Sequence, residues 1–159
     1  MHPKHLLLAS ALAWNALAAL PALAHEAIRV EAPHVRLVPP GTSNTAAFMV
    51  IRNSGSTDRT VVQAQSPAAK VVELHNHIND NGVMRMRPVD KIEIKAGGQA
   101  ELKPGGLHIM LIGLTRSLKE GEAVPITLKL DDGSSTRVEV PVRPILPATG
   151  IPAEHGHHH

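Results

Sequence analysis

Thr136-Arg137-Val138-Glu139-Val140 alternates polar and apolar side chains, and the same two-residue period recurs along the chain after residue 27. Successive side chains of a β-strand point to opposite faces, so this alternation is typical of a strand with one buried face. Turn-forming groups such as Asn53-Ser54-Gly55-Ser56 and Asp131-Asp132-Gly133 separate the strand-like segments. Many short strands between turns predict a single all-β domain, built as a sandwich or a barrel. The predicted strands are Ala27–Glu31, Ala46–Arg52, Thr60–Gln65, Val71–His77, Val83–Val89, Lys91–Ile94, Gln99–Lys103, Leu107–Ile112, Pro125–Leu130 and Ser135–Val142.

The composition excludes several classes of function. Hydrophobic residues make up 43% of the 159 residues and charged residues 19%, so the chain can build one packed core. Trp14 and Phe48 are its only Phe, Trp or Tyr residues, and the formal net charge is +2. With neither stacking platforms nor a basic patch, a nucleic-acid partner is not expected. The chain has no cysteine, so any metal chemistry would proceed without a thiolate.

Residues 1–24 have the pattern of a secretory signal peptide. A short basic start precedes an apolar run, and Ala22-Leu23-Ala24 supplies the small residues that signal peptidase recognises. The alternative is a membrane anchor, but Asn15 and Pro21 interrupt the roughly 20 apolar residues that a bilayer span needs. Cleavage would leave His25 as the first residue and no later segment long enough to span a membrane. We therefore expect an exported, periplasmic protein.

The remaining chain divides into a domain and a tail. Residues 25–143 carry the strand-like segments, whereas residues 144–159 contain prolines and glycines with little apolar content. The change in composition predicts a flexible, His-rich C-terminal tail.

Histidine and methionine are concentrated in one part of the predicted domain. Of the four methionines after the signal peptide, three lie within 27 residues. They and three nearby histidines form pairs spaced two residues apart, a spacing that places both members on one face of a strand. The pairs are His75 and His77, Met84 and Met86, and His108 and Met110.

The turn around Asn79-Asp80-Asn81-Gly82 predicts a β-hairpin, whose register the sequence leaves open. A four-residue loop would place His75 opposite Met86 and His77 opposite Met84. A two-residue turn at Asn81-Gly82 would instead place His77 opposite Met86. Directly opposed residues point to the same side in either register, so both predict that the four side chains share a face.

Two imidazoles and two thioethers form a soft, uncharged ligand set. Thioether sulfur selects monovalent copper, whereas carboxylates suit harder ions. Because no ligand is anionic, Cu(I) leaves the site a single positive charge, which is easier to bury than the charge of Cu(II). Zinc and blue-copper sites are disfavoured because they commonly use cysteine. The alternative is structural, since methionines also fill gaps in cores, and a β-sandwich binding module with incidental methionines would show the same residues.

The spacing His75-x10-Met86-x21-His108-x-Met110 is similar to the signature of the periplasmic copper chaperone PCuAC family. The flanking residues match as well, including Val72-Glu73-Leu74 and Lys103-Pro104-Gly105-Gly106. The resemblance implies a cupredoxin-like or immunoglobulin-like β-sandwich in which His75, Met86, His108 and Met110 bind Cu(I). It also implies delivery of copper outside the cytosol to the copper centre of cytochrome c oxidase. The protein partner would then be the apo-oxidase copper subunit or another periplasmic copper chaperone.

Two features of the chain depart from that family. The segment Ala32-Pro33-His34 stands where the family often has an aromatic residue, and we expect His34 to be structural or solvated. His77 stands where many relatives carry another residue, so it is an additional or competing ligand.

Several further residues are candidate ligands. Met84 is a spare thioether. Histidines at the ends of the mature chain could bind Cu(II), which suits imidazole; these are His25, His155, His157, His158 and His159.

The sequence favours a carrier over an enzyme. No nucleophile and base are paired in the pattern, and Glu73, Asp80 and Asp90 have the pattern of solvated carboxylates. A copper buffer or resistance protein that stores the ion without specific delivery remains an alternative function. We expect a monomer.

Overall fold

The computed structural model describes residues 27–145 and contains ten β-strands and no helix among them. The predicted signal peptide, His25 and the histidines of the tail lie outside the described residues. Each predicted strand is present, and most extend further than predicted. The strands are β1 (Ile28–Arg36), β2 (Asn44–Asn53), β3 (Arg59–Gln65), β4 (Ala69–Asp80), β5 (Val83–Pro88), β6 (Ile92–Ile94), β7 (Gln99–Leu102), β8 (His108–Leu114), β9 (Ala123–Leu130) and β10 (Ser135–Arg143).

The strands form a β-sandwich, which confirms the predicted fold class. The first layer has the order β5-β4-β8-β2-β1, and β7 pairs with β2 beside β8. The second layer has the order β10-β9-β3-β6. A short parallel pairing between β1 and β10, at Val35 with Val142, joins the two layers into one continuous sheet. No helix within the described part of the chain is long and apolar enough to cross a membrane.

The core lies between the layers and is built from alternate residues of each strand. In the first layer Ala47, Leu74 and Ile109 pair across three strands and point inward. In the second layer Val124, Ile126 and Leu128 are fully buried at two-residue spacing on β9. Because neighbours along a strand point to opposite faces, the residues beside Leu74 and Ile109 lie on the outer face of the first layer. His75 and His108 are among these neighbours.

The β4–β5 hairpin turns over two residues. Asn81 and Gly82 have φ angles of 52° and 85°, the left-handed conformation that a two-residue hairpin turn requires. Asn79 and Asp80 are therefore strand residues, paired with Met84 and Val83. Of the two registers that the sequence allowed, the one with the four-residue loop is wrong, and His77 lies opposite Met86.

Strand β1 continues beyond the end that the sequence predicted at Glu31. Ala32 has a φ of 46°, and the register with β2 shifts between Glu31 and His34, as in a β-bulge. Pairing then resumes, with His34 opposite Phe48. The sequence prediction failed here because an alanine followed by proline indicates the end of a strand, whereas the bulge absorbs both residues.

Candidate metal centre

Strands β4, β5 and β8 bring the predicted ligands to the outer face of the first layer. Across the β4–β8 ladder His75 lies opposite His108 and Glu73 lies opposite Met110. Across the β4–β5 ladder His77 lies opposite Met86. Directly paired residues point to the same side. The four residues of the sequence signature and His77 therefore share one face, as both predicted registers required.

An open pocket of about 140 Å³ lies on this face. The candidate ligands that line it are Met86, His108, Met110 and His77. Phe48 and Arg36 form part of the opposite wall, and Pro104 and Gly105 come from the turn before β8. His75 is absent from the pocket wall, although its ring lies beside that of His108. The structure thus gathers three of the four signature residues around one space and adds His77 to them.

The imidazole rings stand at distances compatible with a shared ion. The ring centres of His75 and His108 are 5.6 Å apart, and those of His77 and His108 are 5.4 Å apart. Two imidazoles bonded to one ion at about 2.0 Å have ring centres roughly 5 to 6 Å apart. His108 lies centrally and could share an ion with either of the β4 histidines. Within residues 27–145, no group of three or more His, Cys, Asp or Glu side chains is arranged to hold a metal by itself.

His108 is fixed in a tautomer that leaves one nitrogen free to bind a metal. Its Nδ1 lies 3.0 Å from the carbonyl oxygen of Gly106. A carbonyl only accepts hydrogen bonds, so Nδ1 carries the proton and Nε2 keeps its lone pair. Burial lowers the pKa of His108 below its ordinary value; the bond to Gly106 opposes this, and the neighbouring His75, His77 and Arg36 add to the lowering in that order. The ring is therefore neutral near neutral pH, as a metal ligand must be.

A hydrogen bond also fixes the tautomer of His75, and here its partner is a carboxylate. Its Nε2 lies 2.7 Å from Oε2 of Glu73, two residues earlier on the same face of β4. Because a carboxylate accepts, Nε2 carries the proton and Nδ1 keeps the lone pair. That Nδ1 is buried and has no hydrogen-bond partner among the described residues. A histidine that donates one N–H to a carboxylate and keeps the other nitrogen free is typical of metal sites.

His77 differs from the other two histidines. Its Nδ1 is also buried without a partner in the described part of the chain, and its ring lines the pocket. It shows no hydrogen bond that would fix its tautomer within that part of the chain. The geometry therefore makes His77 available to an ion without orienting it in advance.

The methionines divide into three environments. Met86 is 45% exposed and Met110 is half-buried, and both line the pocket. Met84 is 56% exposed, lies opposite Asn79 near the hairpin turn and does not line the pocket. Met49 is buried in the core at 2% exposure. Met86 and Met110 are thus the two thioethers that the structure places with the imidazoles.

Sequence reasoning missed three residues around the pocket. The Glu73 side chain is exposed, as expected of a solvated carboxylate, but it is also hydrogen-bonded to His75. Its two-residue spacing from that histidine was the available signal. Phe48 lies between the rings of His34 and His108, at 5.3 and 6.2 Å. The guanidinium of Arg36 lies 5.2 Å from the centre of the Phe48 ring. No sequence signal linked Arg36 or Phe48 to the metal ligands, because the β1 bulge sets the register of Arg36 and the long-range pairing of β2 with β8 brings Phe48 to His108.

Comparison with known proteins identifies the family. Residues 28–142 match the family described as "Putative lipoprotein LpqE-like". The chain is 41% identical over 104 residues to "Putative lipoprotein Lxx21020" of Leifsonia xyli subsp. xyli, covering 65% of this chain and 63% of that one. It is 33% identical over 101 residues to "Uncharacterized protein RP573" of Rickettsia prowazekii, covering 63% of this chain and 56% of that one. The match thus spans less than two thirds of the length of each of these relatives.

Solved structures share the fold. The apo form of DR1885 from Deinococcus radiodurans is 33% identical and has a TM-score of 0.59, with 91% of this chain and 95% of that chain covered. Its form named CuI-DR1885 is 35% identical and has a TM-score of 0.58, with 76% of this chain and 83% of that chain covered. A structure named as the copper-bound PCuAC domain from PmoF2 has a TM-score of 0.63 at 19% identity, covering 74% and 93%. The chain belongs to the LpqE-like family, and solved structures named as PCuAC domains share its fold, as the sequence signature predicted.

Proposed function

We propose that this protein is a copper chaperone that binds Cu(I) through His75, Met86, His108 and Met110. The observation that carries the proposal is the outer-face pocket, where two thioethers meet an imidazole whose Nε2 is free. His75 stands beside that imidazole with its own Nδ1 free. The relatives named as copper-bound or CuI forms support the same function.

The donor set favours the monovalent ion. Thioethers are soft, polarizable ligands that prefer Cu(I), and neutral imidazole binds it well. None of the four proposed ligands carries a negative charge, so the bound site would keep one positive charge for Cu(I) and two for Cu(II). In a half-buried position the smaller charge costs less to desolvate. The proposed cargo is therefore Cu(I), bound at one equivalent.

We assign His77 the role of an additional ligand. It lines the pocket opposite Met86, and its ring is 5.4 Å from that of His108. Lacking the hydrogen-bonded support of His75 and His108, it would exchange more readily. A loosely held fifth donor suits an ion that is passed on, because one ligand can replace another without leaving the ion bare.

The openness of the site fits transfer rather than catalysis. Met86 is 45% exposed at the pocket rim, on the edge strand β5, where ligands of a partner protein could reach the ion. We propose that the protein acts outside the cytosol, in the periplasm, after removal of the predicted signal peptide. One relative carries the name of a lipoprotein, which supports export. The proposed acceptor is the copper centre of cytochrome c oxidase, reached directly or through another periplasmic copper chaperone.

Titration with Cu(I) in the presence of a colorimetric chelator tests the binding site. We expect one tightly bound equivalent, measured in full-length chain whose four tail histidines are changed to alanine. The double variant His108→Ala, Met110→Ala should lose that equivalent. Met49→Leu is the matched control, because it removes a thioether from the core at similar volume and should keep full binding. Full affinity in the double variant would overturn the proposed site.

Delivery needs a separate measurement. The copper-loaded protein should transfer Cu(I) to the apo copper domain of the oxidase faster than free exchange through solution allows. The rate should rise with acceptor concentration, as a bimolecular handover requires. Transfer that proceeds only at the rate of spontaneous copper release would instead indicate a copper buffer.

A further inference from the structure

Arg36 places a positive charge at the wall of the proposed copper pocket. It follows the β1 bulge, and its backbone carbonyl accepts a 2.7 Å hydrogen bond from the Thr45 hydroxyl. The guanidinium lies 5.2 Å from the centre of the Phe48 ring, whose other neighbour is His108. Arg36 is half-buried and lines the same pocket as Met86 and Met110. The charge is thus held beside the ligands by packing.

No carboxylate neutralises this charge within the described chain. None of the ion pairs among residues 27–145 includes Arg36, and its Nε is buried without a hydrogen-bond partner there. Arg143 pairs with Arg36 in the β1–β10 register and adds a second positive charge one strand further out. Glu73, the carboxylate that is hydrogen-bonded to the candidate ligand His75, is on β4 and forms no ion pair with Arg36.

We infer that Arg36 is a specificity-determining residue that makes the pocket discriminate against Cu(II) in favour of Cu(I). The inference rests on the proposed copper function and concerns a residue outside the ligand set. The guanidinium contacts the Phe48 ring but forms no ion pair in the described chain, so its uncompensated charge is the feature that needs a role.

The physical basis is that Coulomb repulsion scales with the charge of the ion. A fixed positive charge raises the free energy of bound Cu(II) twice as much as that of bound Cu(I). Removing the charge should therefore strengthen Cu(I) binding by some factor and Cu(II) binding by the square of that factor. The half-buried position keeps the interaction only partly screened by salt. Arg36 thus weakens the absolute affinity while widening the preference for the monovalent ion.

The test compares Arg36→Leu with the unchanged protein, in full-length chain lacking the tail histidines. Leucine is used because it cannot bind copper. We expect the affinity for Cu(I) to rise about fivefold and that for Cu(II) about 25-fold. The ratio of the Cu(II) affinity to the Cu(I) affinity would then rise about fivefold. The midpoint potential of bound copper should fall by about 40 mV, which is this change in the ratio expressed as a potential. Both effects should shrink as the salt concentration is raised.

Two control variants separate charge from packing. Arg36→Lys keeps the charge and should retain both affinities near those of the unchanged protein. Arg143→Leu removes an equal charge one strand further away and should change both affinities less than Arg36→Leu does. If Arg36→Leu changed the Cu(I) and Cu(II) affinities by equal factors, or changed neither, the inference would be overturned and the copper function would stay intact. Failure of the unchanged protein to bind Cu(I) would instead overturn the proposed function itself.

Discussion

The Nε2 atom of His75 lies 2.7 Å from the Oε2 atom of Glu73, two residues earlier on the same strand. The side chain of Glu73 is 42% exposed and that of His75 only 11%. The carboxylate thus orients an almost buried ring while remaining in contact with water. The arrangement is local to β4, and it leaves the Nδ1 atom of His75 as the nitrogen available to copper.

Glu73→Ala should therefore weaken Cu(I) binding without removing a ligand. Loss of a carboxylate that orients a metal-binding histidine costs about 10- to 100-fold in affinity. We expect a loss near the lower end, because the ring of His75 is also held by burial. Competition with a Cu(I) chelator measures the affinity. Imidazole nitrogen NMR of the metal-free protein should show that His75 no longer favours the Nε2–H tautomer.

The matched control is Glu101→Ala. Glu101 is an exposed carboxylate on β7 that pairs with Lys103 at 3.1 Å. Its removal changes the net charge by the same amount and should leave Cu(I) affinity unchanged. An equal loss of affinity in both variants would mean that overall charge, and not orientation of His75, is responsible.

His75 and His77 should contribute unequally to copper binding. His75 has the outer hydrogen bond that fixes its ring, whereas His77 lines the pocket without such support. We expect His75→Ala to lower the Cu(I) affinity roughly 100-fold, about 2.7 kcal/mol, and His77→Ala to lower it less than tenfold. The rate at which a chelator removes copper should be slower in His77→Ala. If His77→Ala lost more Cu(I) affinity than His75→Ala, His77 would be the principal ligand on β4.

Much of the fold could be predicted because its signals are local. The polar and apolar alternation of β9 and β10 and the turn residues between strands lie within short windows of sequence. The order of the strands could not be predicted in this way. The pairing of β1 with β10 and that of β7 with β2 join segments that are far apart in the chain. Such contacts depend on packing of the whole core.

The candidate site shows the same division. Two-residue spacing was enough to place His75 and His77 on one face, and the hairpin added Met86 in either register. The choice of register depended on the positive φ angles of Asn81 and Gly82, which spacing alone does not reveal. Arg36 reaches the pocket because a bulge at Ala32 carries β1 onward, and no spacing pattern in the chain links Arg36 with the ligands.

The hairpin turn allows a prediction about stability. Gly82 has a φ of 85° and open space around its Cα, so Gly82→Ala would meet no steric contact but would strain the backbone. That strain costs about 1 kcal/mol and should lower the melting temperature by about 3 °C. Saturating Cu(I) should raise the melting temperature of the variant, because binding favours the folded state. Thermal unfolding with and without copper measures both effects.

Gly106→Ala is the matched control for this substitution. Gly106 does not have a positive φ, and an added Cβ would lie 3.6 Å from the Lys103 side chain, an ordinary contact. The carbonyl that accepts from His108 is kept. The melting temperature of the Gly106→Ala variant should stay within about 1 °C of that of the unchanged protein. A similar loss in both variants would show that Gly82 is not specially required by the turn.

The loop before β9 predicts how stability depends on pH. The backbone N–H of Lys119 donates a 2.8 Å hydrogen bond to Glu122 and lowers the pKa of that carboxyl, and the Arg116 guanidinium acts in the same direction. A lowered pKa in the folded state means that the ionised carboxylate stabilises the fold above the ordinary pKa of glutamate. The contribution disappears as the pH falls through the lowered value. Glu122→Gln should therefore melt below the unchanged protein at pH 7, and the difference should shrink as the pH falls below the ordinary pKa of glutamate and vanish below the lowered pKa. Glu120→Gln removes an equal charge from an exposed neighbour and is the matched control, which should keep the melting temperature of the unchanged protein at pH 7. A deficit that persists at low pH would indicate that Glu122 acts through packing and not through its charge.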